Sequence, residues 1–77
     1  MYFVYVIKNS QGDLYYGYTS DLERRIAEHN KSQMWKLIYY EAYLSQKDAR
    51  NREQKLKHYG QSRTHLKFRI ENSYNGE

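Results

Sequence analysis

Residues 2–30 read YFVYVIKNSQGDLYYGYTSDLERRIAEHN, and this stretch decides the fold. Tyr2 to Lys8 alternates and is rich in β-branched and aromatic residues, which predicts a strand. Asn9-Ser10-Gln11-Gly12-Asp13 is a cluster of turn formers, and Leu14 to Tyr18 is a second apolar-aromatic run. The two runs predict an antiparallel hairpin. Gly17 stands at a strand end, where a missing side chain lets another group approach the backbone. Ser20-Asp21-Leu22-Glu23 has the form of a capping box and opens a helix of about ten residues. Asn30-Lys31-Ser32-Gln33 ends it.

Downstream, Lys36 to Leu44 is a third extended run with Trp35 at its mouth. Ser45-Gln46-Lys47-Asp48 is a second cap, and a helix from about Gln46 to His58 follows, with Gly60 placed as its C-terminal stop. Arg63 to Ile70 suits a short third helix. The tail from about residue 72 is polar and expected to be disordered. The order ββαβα, with a further helix, predicts an α+β domain: a three-stranded antiparallel sheet flanked by helices. The chain is too short for several parallel crossover units.

Composition narrows the class. With 77 residues there is room for one small domain, taken as residues 1–77, with a thin core. There is no cysteine, which excludes a disulfide scaffold or a thiolate zinc site and suits a reducing compartment. No apolar run approaches the roughly 20 residues of a membrane span, and no apolar leader begins the chain. A cytoplasmic protein with no membrane partner is expected. The net charge of +4 is compatible with a polyanion, and much of it lies late, in Lys55, Lys57, Arg63, Lys67 and Arg69. Ten tyrosines must supply core where Leu, Ile and Val are scarce.

Helical geometry singles out charged residues near the apolar face. With Leu22 as reference, Ile26 lies about 40° to one side, and Arg25 and His29 lie about 60° and 20° to the other. Arg24 points about 160° away, into water. Arg25 and His29 are also four residues apart, so their heads can meet over one spot. In the second helix Ala49, Leu56 and marginally Tyr59 form the apolar stripe, and Glu53 falls inside it. A buried carboxylate must be paired, hydrogen-bonded or bound to a cation. Each residue has a plainer role. Arg25 can snorkel from a boundary, His29 can be a satisfied boundary residue, and Glu53 can pair with Arg25 or Lys57. Their coincidence on two helices, beside a sheet offering Tyr5 and Tyr15, points to one site. A phenol is a poor base at its free pKa of about 10, so either tyrosine could accept a proton only inside a positive cluster.

The chain has no P-loop, no dinucleotide fingerprint, no serine or cysteine nucleophile constellation and no spacing for a closed metal cage. One carboxylate suits one hard divalent cation held mostly by water and substrate phosphate.

Phe3-Val4-Tyr5, a ten-residue step to Tyr15-Tyr16-Gly17, and then Tyr18 through Asn30 resemble the GIY-YIG nuclease superfamily. The likeness is to its small single-domain bacterial type, similar to the nuclease domain of the bacterial excision-repair endonuclease subunit. Asn51 to Lys57 resembles the segment carrying that family's metal-binding glutamate. The resemblance spans roughly Tyr2 to Tyr59. It implies a metal-dependent endonuclease acting on DNA rather than RNA, structure-specific or tied to repair. Tyr5 would be the general base or its relay, Tyr15 would support that role or hold the phosphate, and Arg25 would neutralise the scissile phosphate. His29 takes an auxiliary position, and Glu53 would hold Mg²⁺ or Mn²⁺. Gly17, Tyr18 and Lys57 would lie along the substrate. A monomer or weak homodimer is expected. Phe3 replaces the usual glycine, Tyr16 the usual isoleucine, and only Asn30 to Trp35 stands where relatives carry a basic loop. The alternatives are a module that binds nucleic acid without cutting it and a protein-interaction domain with a tyrosine patch.

Overall fold

A computed structural model of the chain describes residues 1–76. The elements run β1 (Tyr2–Asn9), β2 (Leu14–Thr19), α1 (Leu22–His29), β3 (Trp35–Tyr43), α2 (Gln46–His58), α3 (Gly60–Arg69) and α4 (Glu71–Asn75). The three strands form one antiparallel sheet in the order β2-β1-β3. This is the expected α+β architecture, extended by one short helix.

β1 is central and covered on both faces, so Val4, Tyr5, Val6 and Ile7 are all fully buried. The first face carries Val4 and Val6, which pack with Ala49 and Leu56 of α2 and Leu66 of α3. Each of these larger aliphatic side chains contributes roughly 1.5–3 kcal/mol by leaving water. Half-buried Tyr2, Tyr16, Tyr18, Tyr39 and Tyr43 surround that cluster, so tyrosine does supply core here. The second face carries Phe3, Tyr5 and Ile7 and has only α1 over it. No residue of α1 is fully buried. One face of the sheet is thus sealed and the other is thinly covered.

The β1–β2 turn is organised by Asn9. Its side-chain oxygen accepts from the backbone N–H of Gln11 (3.0 Å) and Asp13 (2.9 Å). Gly12 takes the left-handed φ of 86° that closes the turn. In β3 the register slips: Val6 faces Tyr39, but Ile7 faces Leu37, so Ile38 is an extra residue at a bulge. Because side chains alternate, the slip transfers Leu37 and Trp35 to the α1 side of the sheet. β3 therefore begins at Trp35 and ends at Tyr43, one residue earlier at each end than the sequence pattern suggests.

Four local expectations are corrected. α1 is capped by Asp21, whose carboxylate accepts from Arg24 N–H at 3.2 Å, and not by Ser20. Thr19 takes the Asp21 N–H at 3.1 Å, which sets the entry one residue later. The Ser45 cap of α2 forms as expected, accepting from Asp48 N–H. Gly60 does not stop α2 in a left-handed conformation but opens α3. The guanidinium of Arg63 donates to the carbonyls of Leu56 (2.8 Å) and Lys57 (2.9 Å), satisfying the helix end that a glycine cap would serve. Tyr59 is exposed and not part of the apolar stripe. Residues 72–75 of the tail are not disordered but helical in α4, and Glu77 lies outside the described residues. Tyr74 exchanges a hydrogen bond with Tyr16 (3.0 Å), and its carbonyl accepts from Lys8 Nζ (2.7 Å).

Candidate active site

Tyr5 sits on the central strand directly opposite Gly17, and its ring lies across that glycine. A Cβ at position 17 would come within 2.8 Å of Tyr5 Cε1 and closer still to Cζ and the hydroxyl. Gly17 is therefore required for the close approach, as the sequence suggests. The passage fixes the phenol's direction along the sheet face toward α1.

There it meets His29. Tyr5 Oη and His29 Nε2 are 2.9 Å apart, and their rings meet edge-on with centroids 5.9 Å apart. Burial, aided by the Arg25 charge, lowers the pKa of His29 from its ordinary value, so the imidazole is neutral at pH 7. In the tautomer protonated on Nδ1 it accepts the phenol's hydrogen. Tyr5 itself is pushed up by burial. The Arg25 guanidinium beside it opposes that shift, while Tyr15 and Glu53 reinforce it. Burial wins, so the phenol is protonated in this state. The positive cluster is present but does not ionise it.

Arg25 gains from the same contact, its pKa raised chiefly by the Tyr5 hydroxyl. Its side chain is nearly half exposed and makes only a loose pair with Glu28 at 3.7 Å, worth little in water. The head is thus near Tyr5 and open to solvent. Tyr15 lies diagonally across the hairpin from Tyr5, with ring centroids 6.3 Å apart, and packs on His29 at 4.8 Å. Helical spacing correctly puts Arg25 and His29 over one spot.

α2 approaches around the edge of β2. Lys57 Nζ stands 5.5 Å from the Tyr15 ring centroid and pairs with Glu53 at 3.4 Å. Glu53 is largely sheltered, and its charge acts on Tyr5. Among the described residues no group of three His, Cys, Asp or Glu could enclose a metal. The donor set fits a single-carboxylate mode, in which the ion keeps most of its water and borrows substrate oxygens. Lys57 is the side chain that such an ion would have to displace.

Tyr5, Tyr15, Gly17, Arg25, His29, Glu53 and Lys57 are therefore brought together. Tyr18 is not. It pairs with Val4 and faces the other way, stacked on Tyr2 at 6.4 Å and accepting a hydrogen bond from Gln46 at 2.6 Å. Strand alternation already separates it from Tyr15, three residues earlier. The structure adds Trp35, whose ring meets Tyr15 and His29 edge-on at 6.4 and 6.2 Å. Its only sequence signal is being the single tryptophan, at the mouth of the third extended run.

The family model of the GIY-YIG catalytic domain matches residues 1–75. UPF0213 proteins of Staphylococcus aureus strains Mu3 and N315 are each 37% identical over 67 residues, covering 75% of this chain and 82% of theirs. The solution NMR structure of a UPF0213 protein from Bacillus halodurans is similar, with a TM-score of 0.59 at 26% identity over 86% of this chain and 81% of that one.

Proposed function

The chain belongs to the GIY-YIG catalytic-domain family, and from that premise we propose that it is a divalent-metal-dependent endonuclease that hydrolyses DNA phosphodiesters in the cytoplasm. A structure-specific role, of the kind repair requires, suits so small a domain. The supporting observation is the 2.9 Å contact between the Tyr5 phenol and a neutral His29, beside a half-exposed Arg25.

Tyr5 is fully buried in this state. A substrate phosphate draws the Arg25 head outward and uncovers the phenol. Arg25 then balances the charge on the non-bridging oxygens. An attacking water gives its proton to Tyr5 Oη while Tyr5 passes its own to His29 Nε2. The new bond forms from water oxygen to phosphorus, the bond to the leaving oxygen breaks, and that oxygen takes a proton from solvent. Glu53 would hold Mg²⁺ or Mn²⁺, which polarises the phosphate and steadies the leaving oxygen. Tyr15 keeps the His29 ring in place, and Lys57 adds positive charge at the rim. One such site cuts one strand.

The test is incubation of purified protein with flapped, branched and single-stranded DNA in Mg²⁺ or Mn²⁺. Cleavage is expected to vanish in Arg25→Ala and Glu53→Ala and to persist in Arg24→Ala. Equal behaviour of all three variants would overturn the site. Salt-sensitive binding without turnover would favour a binding module.

A further inference from the structure

We propose that Trp35 is the platform of a base-stacking subsite, so that the site takes a strand with an unpaired nucleotide next to the scissile phosphate. This rests on the nuclease reading above and adds the form of substrate it accepts.

Trp35 is held ready for this. Its backbone N–H donates to the Asn30 side chain at the C-terminal end of α1, at 2.6 Å. The preceding segment is tied down in turn, because Asn9 Nδ2 donates to Gln33 Oε1 at 3.4 Å. The β3 bulge puts the indole on the Tyr5 side of the sheet. Its ring continues the series Tyr5, His29, Tyr15 through the edge-on contacts already described. Trp35 also borders an open hollow of about 230 Å³, walled by Met34, Asn9, Ser10, Lys8 and Lys36. Met34 is 82% exposed, so a large apolar side chain stands in water beside the indole.

A hollow with an apolar wall and an aromatic ring that touches Tyr15 and His29 suits the flat face of a base. The ring and thioether take that face, while the Lys8 ammonium stays engaged by the Tyr74 carbonyl on the other side of the sheet. The subsite is continuous with the residues that meet the scissile phosphate. A base inside a continuous duplex is already stacked on both faces and could use this ring only after extrusion, which costs a few kcal/mol. A flap, gap or overhang presents its base without that cost.

Because Trp35 is the single tryptophan, its own emission reports the event. The wild-type protein is titrated in EDTA at low salt with a labelled single-stranded oligonucleotide, a flapped duplex and a blunt two-strand duplex. Anisotropy of the label gives binding, and indole fluorescence gives stacking. Single-stranded and flapped DNA are expected to quench the emission, and the blunt duplex to bind with little quenching. Trp35→Ala should weaken single-strand binding by about 5- to 100-fold, the range for losing one stacked base. Trp35→Phe should recover part of it. Binding with no quenching, or with equal affinity for Trp35→Ala, overturns the subsite and leaves the nuclease reading intact. Cleavage limited to uninterrupted duplex overturns it likewise. No binding to any of the three, together with no cleavage, removes both.

Discussion

Two clusters in this small domain are built from the same parts, a guanidinium and a carboxylate among phenols. On the sealed side, Glu41 accepts from Tyr39 (2.5 Å), from Tyr43, and from Arg52 Nε through both of its oxygens (3.0 and 3.1 Å). On the thinly covered side, Glu53 has one loose contact with Lys57, and Arg25 has one with Glu28. Burial pushes the Glu41 carboxyl up, but the bonds from Arg52, Tyr39 and Tyr43 outweigh it and hold it below the usual range. The same network pushes Tyr39 and Tyr43 up to about 12, with burial as the leading cause and the bonds to Glu41 next. A carboxylate whose lone pairs are all engaged holds the fold together. One with lone pairs to spare can take a ligand.

The sharpest way to break this contrast is to remove the two arginines in turn. Arg25→Ala should lower cleavage by about 10²- to 10³-fold and leave stability within about 0.5 kcal/mol. Arg52→Ala should do the reverse, costing about 2–3 kcal/mol in urea unfolding while activity per folded molecule persists. If Arg52→Ala abolishes activity at full stability, the two clusters are not separate in role. The carboxylates should follow suit: Glu41→Gln destabilises, whereas Glu53→Gln leaves the melting temperature unchanged and ends metal-dependent turnover.

A smaller effect is expected at Gly17→Ala, where the added methyl must push the Tyr5 ring. Overpacking of this kind costs about 1–3 kcal/mol. Activity should fall further than stability explains, and equal losses in both would count against a special placement of the phenol.

The smallest signature is in pH. His29 is held below its ordinary 6.5. Activity that needs the neutral ring should rise as pH climbs through that lowered value and be level by pH 7. Glu41 is held below its ordinary 4.5, so its stabilisation is complete above that pH and is lost as pH falls through the folded value. Glu41→Gln should flatten that acid limb of stability while leaving the acid limb of activity in place. A single shared limb in both measurements would merge the two clusters.

Much of this was legible in the sequence, for physical reasons. Alternation and turn residues set the hairpin, and the 100° helical step chose Arg25, His29 and Glu53. What escaped depends on contacts between distant residues. The Asp21 cap depends on Thr19, and the end of α2 depends on Arg63 reaching back. The α4 tail is held through Tyr74 by Tyr16 and Lys8, which lie 58 and 66 residues away. The Tyr39–Glu41–Tyr43–Arg52 network needs β3 and α2 side by side. Tyr18 was the exception, because simple alternation already turned it away from Tyr15.

The slip at Ile38 leaves β3 as two half-strands out of phase with one another. Loss of that one codon would mend the pairing and leave both halves on their present faces, with Leu37 still opposite Ile7 and Trp35 opposite Asn9. A slip that instead drew Ile38 into the ladder opposite Ile7 would turn the indole toward the sealed side and bring the ammonium of Lys36 beside His29. One unpaired residue thereby decides whether that edge of the sheet is aromatic or cationic.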